Sequence, residues 1–375
     1  MSVATASAPV NIATLKYWGK RDTALNLPTN SSMSVTLAQD DLRATTTARA
    51  GAEFGADALF LNGKAEAIGK RTQQVLAALR AARAEVERAD ASAAPLADLP
   101  LQIVSNNNFP TAAGLASSAA GFAALVKAVA LLYALPQSPS ELSVLARQGS
   151  GSACRSMFGG YVAWEMGARA DGSDSRAVEI APVQHWPEMR ALILVVSAEK
   201  KDVSSTAGMQ VTVHTSSLFQ ERVRNVVPRR FDEMAESIRA RDFATFADLT
   251  MRDSNQFHAV CLDSSPPIFY MNDVSRAAIR TVEQINERAG RPIAAYTFDA
   301  GPNCVIYYLE ENEAPVLAGL SVLTGVKGFP GTAQAAATNV DDSKWAQTLK
   351  TGIERVISTR VGPGPQELAE HLPAV

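Results

Sequence analysis

The chain has 375 residues, 47% of them hydrophobic and 19% charged, which is the make-up of a soluble globular protein with one large core or two joined domains. A formal net charge of -3, with no run of Lys or Arg, carries no nucleic-acid footprint, so any cationic surface is local to a pocket. Cys154, Cys261 and Cys304 stand too far apart for a disulfide framework or a Cys-x-x-Cys metal site, and no signal peptide or apolar run of about 18 residues is visible; a cytoplasmic protein without a membrane or nucleic-acid partner is expected.

In chain order, the first informative stretch is residues 8–22. It packs Lys16, Lys20 and Arg21 with Tyr17 and Trp18 around Gly19. A core strand has no reason to carry three cations so close together, so one face should meet anions; a solvated basic edge is the alternative. Residues 33–49 carry β-branched residues on either side of Gln39-Asp40-Asp41, which predicts two strands joined by a turn. Leu59-Phe60-Leu61 runs into Asn62-Gly63, a short-turn dipeptide. The spacing of Val75, Leu76, Leu79 and Val86 predicts a helix over 70–89 with Arg71 near its start, and residues 89–100 read as a surface loop.

Residues 101–104 read as a strand, 105–121 as a turn that opens a helix, and the alanine-rich run 117–134 as that helix. In the turn, Pro110, Gly114 and the small Ala112, Ala113 and Ala116 let the backbone approach a bound group closely. The first N–H groups of the helix point outward, a natural phosphate site. Ser117 and Ser118 add hydroxyls for a phosphate oxygen or its magnesium ion. This is neither the Walker pattern nor the dinucleotide Gly-x-Gly-x-x-Gly fingerprint, and a serine-capped helix is the plain alternative.

Beyond it, Ser140 is expected to cap a helix reaching about Arg147, and Gly159-Gly160 to lead into a strand over 161–164. Between them, Ser150-Gly151-Ser152-Ala153-Cys154-Arg155 forms a second compact cradle. Its hydroxyls and glycine amides suit phosphate oxygens, and Arg155 can grip a carboxylate with two nitrogens; an ordinary Gly/Ser turn is the alternative. Cys154 reads as a small buried neighbour rather than a nucleophile. His185, His214, His258 and His371 are scattered and read as structural or surface residues.

A second half begins near Arg190 with the apolar strand 191–196. Helices are expected over 206–226, over 229–255 with interruptions near Asp242, and over 272–289. Strands 293–298 and 304–309 flank Asp299-Ala300-Gly301-Pro302-Asn303. A carboxylate at the end of an apolar strand is costly unless paired, so Asp299 either caps its own turn or orients a substrate hydroxyl as a general base. The economical architecture is α+β, with two lobes (1–189 and 190–375) and an active-site cleft between them.

The 105–121 stretch resembles the phosphate loop of the GHMP small-molecule kinase superfamily. Together with the other constellations it resembles the mevalonate diphosphate decarboxylase family of that superfamily. The resemblance extends from Ala8 to about Leu309 and includes Leu27-Pro28-Thr29-Asn30-Ser31-Ser32, Lys200-Lys201-Asp202-Val203-Ser204-Ser205-Thr206 and Met251-Arg252-Asp253-Ser254-Asn255; the tail after about Gly331 adds little. It implies a GHMP kinase fold with a ribosomal S5 domain 2-like N-terminal lobe and a ferredoxin-like C-terminal lobe. It also implies a homodimer and a place in isoprenoid and sterol biosynthesis.

The implied reaction uses ATP to phosphorylate the 3-hydroxyl of mevalonate 5-diphosphate, after which phosphate and carbon dioxide leave to give isopentenyl diphosphate. By the same resemblance, Asp299 orients or deprotonates the hydroxyl, Lys16 keeps Asp299 ionised and steadies phosphate charge, and Arg155 clamps the carboxylate. The 5-diphosphate would sit among Tyr17, Trp18, Gly19, Lys20, Arg71, Ser150, Gly151, Ser152, Ala153, Cys154 and Thr206. ATP would use Asn108, Pro110, Ala113, Gly114, Leu115, Ser117 and Ser118, with Ser118 nearest the transferred group and at the Mg2+ ion. The alternatives are a related kinase that stops at phosphorylation and a non-enzymatic binding module.

Overall fold

A computed structural model describes residues 2–109, 117–196, 202–330 and 344–375. In the N-terminal half, Ser2–Pro9, Arg43–Ala50 and Leu101–Asn107 lie side by side and antiparallel. The hairpin of Ala58–Leu61 and Lys64–Glu66, turning at Asn62-Gly63, extends this sheet at one edge, and Gln366–Leu368 extends it at the other. Both faces are covered, and the period-2 pattern of the strands shows how. Ala6, Ala8, Ala44 and Ala48 are buried in the apolar cluster with Ala120, Ala123, Ala124 and Ala128 of the helix Ser117–Leu132, whose small side chains let helix and sheet approach closely. The polar Thr5, Thr47, Arg49 and Gln102 bond instead to His371, Leu372 and Val375 of the C-terminal segment.

A second sheet is ordered Ala177–Ala181, Tyr161–Trp164, Ser32–Thr36, Asn11–Leu15, all antiparallel. The two strands expected within 33–49 are present, but Ser32–Thr36 belongs to this sheet and Arg43–Ala50 to the first, so the turn between them carries the chain from one layer to the other. The helix Lys70–Ala89 lies where its apolar spacing placed it. The expected cap at Ser140 is corrected. Ser138 caps the helix Pro139–Gly149 in a reciprocal box with Glu141, because Pro139 fits the first helical position, where no N–H is needed. Ser140 instead donates to the Ala177 carbonyl.

The C-terminal half is built on a four-stranded antiparallel sheet, ordered Ala294–Phe298, Cys304–Leu309, Met189–Val196, Ile353–Arg360. The helical stretch expected over 206–226 breaks at Ser216 between Ser205–Thr215 and Phe219–Glu221, and then passes through a π turn, Arg222–Val226, into Val227–Ala240. The interruption near Asp242 has a clear cause. Arg241 adopts a left-handed conformation and Asp242 caps the next helix, Phe243–Leu262, by accepting from the Thr245 N–H.

One apolar cluster runs from Ala6 and Ile12 to Ile193, Met234 and Tyr307, so the two halves share buried contacts. Tyr307 donates its hydroxyl to the Ile12 carbonyl at 3.1 Å, and Thr297 approaches the Ala13 carbonyl at 3.5 Å. These bonds bring the end of Asn11–Leu15 beside the end of Ala294–Phe298. Among the described residues, no helix is long and apolar enough to cross a membrane.

Candidate active site

Lys16 and Asp299 each follow directly on one of those two strand ends, and Lys16 Nζ donates to Asp299 Oδ1 at 2.7 Å. The Lys16 side chain is 3% exposed and that of Asp299 38%, so a partly exposed carboxylate meets a buried ammonium. Burial pulls the Lys16 pKa down, while the charge and hydrogen bond of Asp299, and more weakly Asp253, hold it up.

Arg155 is buried in the turn Gly151–Met157. Its Nε donates to Ser34 Oγ at 3.0 Å and Asn11 Oδ1 at 3.2 Å, and its Nη1 to Ser32 Oγ at 2.5 Å. The guanidinium lies 6.0 Å from the Trp164 ring centre. Nη2 takes part in none of these bonds, and among the described residues Arg155 makes no salt bridge. Neutral hydroxyls therefore orient a buried cation and leave its charge for a guest.

Beside it lies a second set of cations. Lys20 is buried and drawn down to about 8 by that burial, with the nearby positive charge of Arg71 adding to the effect. Arg71, in the first turn of Lys70–Ala89, reaches Thr206 Oγ1 at 3.4 Å. Neither cation has a salt bridge among the described residues, which is how a protein leaves room for an anion. The Tyr17 ring packs 4.6 Å from Trp164, and its buried hydroxyl meets no hydrogen-bond partner among the described residues. Gly19 shapes the floor: at φ +90° it is left-handed, and a Cβ there would come within 2.6 Å of Phe219 Cζ and 2.7 Å of Thr29 Oγ1.

At three of the expected positions the side chain is turned into the protein interior. Trp18 sends its indole into an apolar cluster against Phe257, with Nε1 bonded to Thr212 at 3.0 Å. Ala153 and Cys154 are fully buried, and the Cys154 Sγ is directed to the Gly151 carbonyl at 3.0 Å. Burial pushes that thiol up to about 12, so it is no nucleophile. The Ser152 carbonyl accepts from Asn11 Nδ2 at 3.0 Å. Gly151 has no space for a side chain, since a Cβ would meet Tyr17 Cε1 at 2.9 Å.

Among the residues expected to meet the nucleotide, Ser118 at the exposed start of the helix Ser117–Leu132 has its hydroxyl 3.2 Å from that of Ser150. Two loops separated in sequence thus converge on one pair of hydroxyls. Asn108 is exposed, but its side-chain oxygen accepts the Arg43 N–H at 2.8 Å, which commits it to closing a strand end. Pro110, Ala113, Gly114 and Leu115 lie outside the described residues, as do Lys200 and Lys201. The hydroxyl pair at a helix start fits a nucleotide phosphate. Among the described residues no three His, Cys, Asp or Glu side chains gather.

Several residues of the site escaped the sequence reading. Ser32 and Ser34 show a signal that could have found them: with Thr36 they alternate with Met33 and Val35, a polar row on one face of a fully buried strand. His258 is buried against Phe298, its Nε2 without a hydrogen-bond partner among the described residues, and burial first, then Lys16, draws it down to about 3, so it stays neutral. Nothing in its sequence context marks it.

Two family models match the chain: the diphosphomevalonate decarboxylase-like N-terminal domain over residues 8–177, and the mevalonate 5-diphosphate decarboxylase C-terminal domain over residues 191–368. A diphosphomevalonate decarboxylase of Gibberella zeae is 62% identical over 374 residues, covering 98% of each chain. The crystal structure of a mevalonate 5-diphosphate decarboxylase superposes with a TM-score of 0.94 at 57% identity, over 99% of this chain and 98% of that one. A solved complex with MVAPP, AMPPCP and magnesium superposes with a TM-score of 0.77 at 30% identity, over 98% and 99%. The named relatives are decarboxylases, which sets aside the kinase that stops at phosphorylation. The chain belongs to the diphosphomevalonate decarboxylase family.

Proposed function

We propose that this protein converts mevalonate 5-diphosphate and ATP to isopentenyl diphosphate, ADP, phosphate and carbon dioxide. The observation that carries the reading is the Lys16–Asp299 pair at 2.7 Å, its carboxylate partly exposed, with Lys20, Arg71 and Arg155 making no salt bridge among the described residues. Lys20 and Arg71 hold the diphosphate, and the Tyr17 hydroxyl supplies a donor. Arg155, oriented by Ser32, Ser34 and Asn11, takes the substrate carboxylate. That fixes the molecule at both ends and sets its 3-hydroxyl against Asp299.

Asp299 then accepts the hydroxyl proton as the oxygen attacks the terminal phosphorus of the nucleotide. Lys16 holds the acid in place and offsets the negative charge that gathers as the phosphoryl group moves. The hydroxyls of Ser118 and Ser150 orient the phosphate chain. Magnesium, held with the phosphates beside the Ser118 and Ser150 hydroxyls, would supply charge neutralisation. In the second stage the C3–O bond breaks and its electron pair leaves with phosphate, and the electrons of the carbon–carboxylate bond form the alkene. The Arg155 grip keeps that bond aligned while carbon dioxide departs.

Support for ATP and magnesium comes from the relative whose complex holds MVAPP, AMPPCP and magnesium. The cytoplasmic location agrees with three buried free thiols, and the homodimer follows from the family resemblance and is checked by sedimentation. Incubation with ATP, magnesium and mevalonate 5-diphosphate should release ADP, phosphate and carbon dioxide in equal amounts. ADP released without carbon dioxide would overturn the proposal.

A further inference from the structure

Lys16 stands one residue past the strand Asn11–Leu15, so its N–H and C=O have left the ladder and need other partners. One buried cluster from the other half of the chain takes both. Asp253, on the helix Phe243–Leu262, accepts the Lys16 N–H through Oδ2 at 2.7 Å. Arg222, in the π turn Arg222–Val226, donates Nη2 to the Lys16 carbonyl at 3.1 Å and holds the Asp253 carboxylate with both terminal nitrogens, at 2.8 and 3.0 Å. Arg230 Nη1 adds a bond to Asp253 Oδ1 at 3.1 Å, and Asn30 Nδ2 shares the Lys16 carbonyl at 3.0 Å.

The side chains of Asp253 and Arg222 are both fully buried. As a contribution to stability such a pair is poor, because desolvating two charges consumes most of their attraction and an apolar pair of equal volume often serves as well. An apolar pair could not, however, hold both main-chain groups of a single residue. Here that residue is the one whose ammonium meets Asp299.

We propose that Asp253 and Arg222 are positioning residues for the reaction: they fix the main chain of Lys16 and thereby the ammonium that Asp299 bonds. This rests on the roles given to Lys16 and Asp299 above. Lys16 has a long side chain, and its reach to Asp299 is set only if its root is set. The bifurcated grip does that with groups that touch neither substrate nor nucleotide, and a displacement of about 1 Å at such a root is enough to cost rate.

The test is Asp253→Asn, which keeps the side-chain oxygen and the volume but removes the charge that draws the two arginines in. For the folded variant, verified by near-ultraviolet dichroism, kcat should fall about ten- to a hundredfold, with KM for both substrates within about threefold of wild type. Added to Lys16→Met, it should change kcat by less than about twofold, because the group it acts through is gone. A folded Asp253→Asn with kcat within about twofold of wild type overturns the proposal. So does a loss confined to KM, or an undiminished further loss on top of Lys16→Met. Near wild-type turnover by Lys16→Met alone would instead sink the reading of the site on which the proposal stands. Should Asp253→Asn fail to fold, Arg222→Lys is judged by the same criteria, since it keeps a cation yet cannot span Asp253 and the Lys16 carbonyl together.

Discussion

Lys20 should make the proposed diphosphate cradle sensitive to pH in a way that can be worked through. Burial, helped by the charge of Arg71, draws its ammonium down to about 8 in the free protein, whereas an exposed lysine stays charged to 10.5. The proposed diphosphate contact needs the charged form, so binding is intact below about 8 and lost as pH rises through it. If only the protonated form binds, KM for mevalonate 5-diphosphate should rise by about 10% at pH 7, about twofold at pH 8 and about elevenfold at pH 9. The bound lysine, facing phosphate, holds its proton, so kcat should not share this limb.

Lys20→Arg keeps the charge at every pH in this range and should flatten the KM profile. Steady-state kinetics from pH 6.5 to 9.5 on both proteins provides the measurement. A flat KM in wild type, or the same limb in Lys20→Arg, would refute the reasoning. Stability has the opposite sign. The depressed pKa means that the unfolded chain binds more protons between about 8 and 10.5, so the ligand-free fold should gain stability as pH rises through that window.

Arg155→Gln should lower kcat/KM by about two orders of magnitude, with losses in both kcat and KM, because it removes a buried cation that three side chains orient; small, equal losses measured in steady-state assays would contradict the clamp. Gly19→Ala should destabilise the fold by about 1–3 kcal/mol, since the new methyl meets Phe219 and Thr29 at a left-handed position, and unchanged urea denaturation would refute this. The three buried thiols, with Cys154 and Cys261 pushed up to about 12 by burial, should resist a chromogenic thiol reagent in the native enzyme and all react after unfolding. One fast-reacting thiol in the native protein would contradict that.

Much of the scaffold was legible because its signals are local. The spacing of Val75, Leu76 and Leu79 defines the helix Lys70–Ala89, and Asn62-Gly63 marks the hairpin turn. Asp299 stood out because an acid between two apolar strands demands a partner, and Lys16 provides it. The strand Ile353–Arg360 was missed because it is an edge strand, half exposed and interrupted by Glu354, Arg355 and Arg360, so its apolar pattern is broken. Ser138 was passed over for Ser140 because both are serines beside Pro139, and only the reciprocal bond with Glu141 separates them. The Asp253–Arg222 grip was illegible for a deeper reason. Charged residues on helices read as solvated faces, and Asp253 meets a main chain 237 residues away.

The central claim is that Asp299, steadied by Lys16, handles the substrate hydroxyl opposite the nucleotide. Single-turnover kinetics of Asp299→Ala tests it most directly, with mevalonate 5-diphosphate affinity measured on the same protein. The account predicts that ADP and carbon dioxide formation both fall by about three powers of ten while substrate binding stays within a few-fold of wild type. Turnover within about tenfold of wild type, or a loss that lies wholly in binding, would contradict it.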